Sequence, residues 1–246
     1  FRDSPKERGS DLTYWWPGHV TVMPDFAKIP PKAAADTVRA KIGIQIKYMR
    51  GKKFANAQAV EYSPGQIDSF EREMALDRLP AEVKTRPGIS VRYTRLRNVP
   101  SFFPEEQGIS ETAKNRWDLW NVGILKIGKP VTVLHVSRSG EYLLVLCDEG
   151  YGWARAEDVA LGTGAAIDAF VNAKDFIVCA GDRVQLYTSG RADIATGWFG
   201  MGDRLPMASK SNPRTVKIPA RRSDGSFFTE TAWLAGDAEV NVGWLP

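Results

Sequence analysis

Leu134-His135-Val136-Ser137-Arg138-Ser139-Gly140-Glu141-Tyr142, followed by Gly152-Trp153, has a counterpart near the other end of the chain in Arg222-Ser223-Asp224-Gly225-Ser226-Phe227, followed by Gly243-Trp244. Each block reads as a strand, a tight Ser-Gly or Asp-Gly turn, an aromatic-bearing strand and a Gly-Trp that opens a further short strand. That is the order of a small β-barrel, and it occurs twice. Gly128 aligns with Gly202 upstream of the paired turns, and the separation between matched positions grows along the chain. Growing separation places insertions in the loops of the second copy, chiefly the polar, proline-containing segment 209–214.

Outward from the first block, the pattern changes near Ile89. Val91-Arg92-Tyr93-Thr94-Arg95-Leu96 alternates as a strand does, and 130–136 alternates again. The stretch from Pro100 to Gly128 reads as a long loop carrying Trp117 and Trp120. Upstream, Val38, Ile42, Ile46 and Met49 fall on one face of a helix that starts near Pro31 and ends by Gly51. Ser63-Pro64-Gly65-Gln66 supplies an N-cap, a proline at the first helical position and a glutamine at the third, ahead of an apolar stripe of Ile67, Phe70 and Met74. Before these lies a polar start and the cluster Tyr14-Trp15-Trp16-Pro17, which reads as irregular chain laid against something larger. The expected fold is mainly β: two tandem SH3-like barrels preceded by an α-helical or irregular N-terminal region. The expected divisions are an N-terminal region over 1–86, a first barrel over 87–162, a linker helix over 163–175 and a second barrel over 176–246.

With 246 residues, 43% of them hydrophobic, the chain has enough apolar side chain for a real core. Its net charge of +4 comes from 33 basic residues interspersed with 29 acidic ones, which describes a mixed solvated surface and implies no nucleic-acid partner. No apolar run approaches the roughly 20 residues of a membrane helix, so no transmembrane segment is expected. No signal segment is present, but the chain opens on Phe1, as a trimmed or partial product does, and export stays open. Cys147 and Cys179 set neither a disulfide framework nor a metal spacing; both sit in apolar runs, where a free cysteine behaves as a small hydrophobe.

Catalytic signatures are lacking. Gly123 to Lys129 fits a phosphate-cradling loop until Pro130, which stands where a Ser or Thr hydroxyl must hold magnesium and introduces a strand where a helix is needed. Only His19 and His135 exist, with no nucleophile elbow or zinc motif. If residues 138–141 form a two-residue hairpin, His135 faces Leu144 and Cys147 faces Thr132, which puts His135 and Cys147 on opposite faces of the sheet. His135 therefore reads as a structural histidine bonded to neighbouring backbone. No catalytic residue, metal site or cofactor is expected. The informative concentration is aromatic: Phe102, Phe103, Trp117 and Trp120 share the long loop with Glu105, Glu106, Glu111 and Asp118. Rigid aromatics among acceptors suit recognition of a peptide or its amino group. The same aromatics equally suit capping of a small barrel core or seating of the N-terminal region.

The run Val91 to Pro100, then Asp118-Leu119-Trp120-Asn121, then Gly128 to Ser137 and Gly152-Trp153 resembles the paired bacterial SH3 (SH3b) domains that precede the catalytic domain of NlpC-type cell-wall cysteine peptidases. The resemblance covers roughly residues 88–246, with Asn121 where the family commonly has Gln. It implies a peptidoglycan stem peptide as partner, a first barrel that helps wall the substrate pocket through Asp118, Trp120, Asn121 and Trp117, and residence in the periplasm or cell envelope. It also implies a Cys/His catalytic peptidase domain, in the same chain beyond Pro246 or in a separate one, since neither cysteine here stands in for the nucleophile. The two expectations are a substrate-gating region of a stem-peptide endopeptidase, and a stand-alone wall-binding or protein-interaction module without enzymatic activity.

Overall fold

The computed structural model describes residues 31–101, 107–110, 117–148, 150–188, 196–236 and 238–244. The Tyr14 to Pro17 cluster and the loop residues Phe102, Phe103, Glu105, Glu106 and Glu111 lie outside them.

Helix α1 spans Pro31–Arg50 and buries Val38, Ile42 and Met49 along one stripe, with Ala34, Ala35 and Gln45 beside them. Its last turn carries Lys47 and Arg50, which complement the negative end of the helix dipole. Helix α2, Pro64–Glu73, opens on a complete capping box. The Ser63 hydroxyl accepts from the Gln66 N–H while the Gln66 side chain accepts from the Ser63 N–H, satisfying two otherwise orphaned donors. Arg50 bridges the helices by pairing with Asp68 at 2.6 Å and with Glu71, on an exposed face where such pairs contribute little. What holds the helices is burial: Phe54, Tyr62, Phe70 and Met74 join the α1 stripe in one core with Leu134, Leu144 and Trp153 of the neighbouring sheet and with Trp120 of the turn before it.

That sheet contains β2 (Arg86–Ser90), β3 (Thr94–Arg97), β5 (Asn121–Leu125), β6 (Pro130–Val136), β7 (Tyr142–Cys147), β8 (Gly150–Arg155) and β9 (Val159–Leu161), in the order β5-β3-β8-β7-β6-β2-β9. β1 (Phe54–Ala55) and β4 (Ile109–Ser110) pair separately beneath it. After helix α3 (Gly164–Val171), capped by Thr163, the second sheet contains β10 (Asp175–Cys179), β11 (Arg183–Thr188), β12 (Gly197–Gly200), β13 (Arg204–Ser209), β14 (Asn212–Arg221), β15 (Phe227–Leu234) and β16 (Val240–Trp244). Its order is β12-β11-β15-β14-β13-β10-β16. The two orders superimpose strand for strand, all pairs antiparallel, so the duplication is one of topology. The chain is mainly β, two SH3-like barrels behind a helical layer.

The topology corrects the matching of the two copies. The Ser139-Gly140 turn joins β6 to β7, whereas Asp224-Gly225 joins β14 to β15, the counterparts of β7 and β8. Gly152-Trp153 lies on β8, but Gly243-Trp244 lies on β16, the counterpart of β9. The partner of Trp153 by pairing is Trp233: Trp153 lies opposite Arg97 of β3 and Leu144 of β7, and Trp233 lies opposite Tyr187 of β11 and Thr215 of β14. Gly128 and Gly202, in contrast, do correspond, each at positive φ before the same strand. Motif likeness over two residues carries less weight than the pairing partners that fix a strand's place.

The hairpin register is also corrected. His135 faces Leu144, as expected, but a bulge between Val133 and His135 inserts one residue, so Thr132 faces Leu146 and not Cys147. His135 and Leu134 consequently both serve the helical-layer side: His135 Nε2 lies 3.1 Å from the Ala75 carbonyl oxygen and its ring meets Trp153 edge-on. Cys147 points into the opposite cluster, with Leu96, Val133 and Val145, and both cysteines are buried thiols.

The barrels share a core across their seam. Ile89, Ile127 and Ala160 of the first pack with Ile167 and Phe170 of α3 and with Ile177, Leu205 and Val216 of the second. Polar contacts reinforce it. The Tyr93 ring stacks on Trp198 with centroids 3.6 Å apart, its hydroxyl donates to Asp203, and Lys126 reaches the same carboxylate at 2.7 Å. Burial and then Asp203 push the Tyr93 phenol well above its usual value.

Candidate functional site

The chain on either side of Trp117 to Asn121 is held by one carboxylate. Asp118 accepts from Arg97 Nη1 at 2.8 Å, from the Gly108 N–H at 2.9 Å and from the Trp120 N–H at 3.1 Å. Arg97 sits at the end of β3, 2% exposed, so its charge is compensated inside the protein, and desolvation draws its pKa down despite the nearby Asp118. Backbone bonds from Leu119 to Gly108 and from Asn98 to Trp120 complete the frame.

Trp120 faces inward. It is fully buried, stacked on Tyr62 at 5.1 Å and 15°, and met edge-on by Phe70 and at a tilt by Phe54. Gly108 lies flat on its ring: a Cβ there would come within 2.3 Å of the indole, so only glycine permits the approach. The Tyr62 hydroxyl donates to the Gln107 carbonyl at 3.0 Å, tying the helical layer to the same loop. Trp120 thus joins the helices to the first barrel and offers no face to solvent.

Trp117 is 70% exposed, and Asn121 is exposed as well. Asn121 opens β5, which pairs with β3 on one side and, among the described residues, leaves its other edge open. Ile124, 48% exposed, continues the outer surface of that strand. Of the four residues anticipated from sequence, Trp117 and Asn121 are exposed, Asn121 opening the edge strand β5, while Asp118 anchors the chain from within and Trp120 lies in the core. Arg97, Gly108 and Ile124 were missed. Nothing in the alternation of β3 marks Arg97 as buried, while the exposed Ile124 departs from that expected of an apolar strand residue.

Among the described residues, no three His, Cys, Asp or Glu side chains gather as a metal would require, and no helix is long and apolar enough to cross a membrane. Residues 110–155, from β4 to the end of β8, match the family described as SH3 domain (SH3b1 type). An NlpC/P60 endopeptidase from Photobacterium damselae subsp. piscicida shares the fold over 82% of this chain, with 16% identity and a TM-score of 0.68. The chain spans 44% of that enzyme's length. An NlpC/P60 family protein from Bacillus cereus ATCC 10987 is 16% identical over 65% of this chain and 58% of its own, with a TM-score of 0.38. No curated protein matches. The chain therefore carries two SH3-like barrels behind a helical lead region, a fold that recurs in the Photobacterium endopeptidase.

Proposed function

We propose that this chain is the cell-wall-recognition and substrate-gating region of a peptidoglycan stem-peptide endopeptidase, working in the cell envelope beside a Cys/His catalytic domain. The observation that carries the reading is the fold shared with an NlpC/P60 endopeptidase over 82% of this chain and less than half of that enzyme. The match of residues 110–155 to the SH3b1-type domain supports it, because wall recognition suits a binding module. Trp117 and Asn121 form the wall of the peptide site, and the buried Arg97–Asp118 pair keeps them in place. Trp120 contributes by seating the loop on the helices. Two measurements test this. Purified chain should co-sediment with peptidoglycan sacculi, and the coding sequence, followed past Pro246 or into the adjoining gene, should encode a domain with a nucleophilic cysteine and a later histidine. Binding without any such domain favours a stand-alone wall-binding module; absence of both sinks the proposal.

A further inference from the structure

A hollow of about 430 Å³ lies at the seam of the barrels, lined by Glu141, Tyr142, Arg155, Ala156, Glu157 and Arg221. That volume falls in the range of about 300–1,000 Å³ typical of small-molecule sites. Five of the residues belong to the first barrel, and Arg221 comes from the end of β14 in the second. Arg155 Nη1 meets Glu157 Oε1 at 3.3 Å, so this pair is already balanced.

Glu141 and Arg221 are different. The Glu141 N–H donates to Ser139 Oγ and its carbonyl accepts from the Ala156 N–H, which fixes the backbone and leaves the carboxylate with no partner among the described residues. Arg221 donates through Nε to the Val159 carbonyl at 3.2 Å and through Nη1 to the Arg222 carbonyl at 3.4 Å. Neutral carbonyls orient the guanidinium without cancelling its charge, and it has no carboxylate partner among the described residues. Gly225 leaves the room it occupies, since a Cβ there would stand 3.2 Å from Arg221 Nη2.

We propose that this hollow binds a zwitterionic small molecule, a free amino acid or short peptide, with its ammonium on Glu141 and its carboxylate on Arg221. The two Glu and two Arg side chains sum to no net charge, so the hollow attracts neither cations nor anions as a class. Fixed opposite charges on two walls favour a ligand that carries both, and each would form a charge-assisted hydrogen bond. Recognition is of the termini and not of the side chain. The site stands apart from the loop at Trp117, so either reading survives failure of the other.

The test is a titration of the isotope-labelled chain, followed by amide resonances, with L-alanine, L-alanyl-L-alanine, its N-acetyl form and its C-terminal amide. The expected result is saturable shifts at Glu141, Tyr142 and Ala156 with the free amino acid, the free dipeptide or both, the two arms reporting which length fits. Each capped form should bind about tenfold or more weakly. Glu141→Gln should erase discrimination against the acetyl cap and Arg221→Gln discrimination against the amide. Both residues are exposed, so an unchanged spectrum elsewhere verifies folding. Absence of saturable shifts at these residues, equal binding of capped forms, or retained discrimination in the variants would overturn the proposal.

Discussion

Arg97 holds Asp118 at 2.8 Å with both side chains almost removed from water, 2% and 11% exposed. A charge pair in that position is worth little compared with an apolar replacement of both members, but removing one member strands the other. Asp118→Ala also frees the N–H groups of Gly108 and Trp120. It should cost about 3–5 kcal/mol in urea unfolding, whereas the exposed Trp117→Ala should stay within about 0.5 kcal/mol. Equal, small effects would mean that the pair does not frame the loop.

Trp120→Ala should destabilise by about 3–5 kcal/mol, as large-to-small changes do at fully buried aromatics. Trp120→Phe should cost distinctly less, because the indole N–H is buried without a hydrogen-bond partner among the described residues and its loss strands nothing. Thermal melts of the two variants decide between this and a ligand-facing role, in which alanine would leave the melt unchanged.

Burial lowers the His135 pKa from its ordinary 6.5, against the pull of the Ala75 and Met74 carbonyls and of Asp77. The unfolded chain then takes up a proton before the folded one does. Stability is complete above about pH 6.5 and falls as pH drops toward the lowered folded value, by at most about 1.4 kcal/mol per pH unit. Urea midpoints recorded between about pH 7.5 and 5 should decline more steeply for wild type than for His135→Gln. Parallel curves would count against a buried neutral imidazole.

Tyr93→Phe removes the hydroxyl that donates to Asp203 across the seam but keeps the stack on Trp198. It should cost about 1–3 kcal/mol, since Asp203 is buried and loses a donor. Calorimetry should still show one transition, because Ile89, Ile127 and Ala160 bind the barrels through a shared core. Two separated transitions in the wild type would refute that shared core.

Much of this fold is legible in the residues. The Val38, Ile42 and Met49 stripe and the Ser63 to Gln66 cap announce their helices because spacing and capping are local properties. Two barrels are legible from turns and alternation. The alignment of the copies is not, since Trp153 and Trp233 correspond through pairing with strands far away in sequence. Their environments differ for the same kind of reason: the helical layer covers Trp153, whose indole donates to Gln45 at 3.1 Å, while Trp233 remains 40% exposed. Within the loop, the aromatic cluster marks the region but not the direction of each ring. Trp117 and Trp120 are separated by two residues, and only the position of Tyr62, Phe54 and Phe70 determines which one is swallowed.

If Trp117 walls the peptide site in the proposed function, the product of the whole native gene should hydrolyse a free stem tripeptide, and Trp117→Ala should raise KM about tenfold while kcat and thermal stability hold. An inert wild-type product, or a variant with unchanged KM, would contradict it.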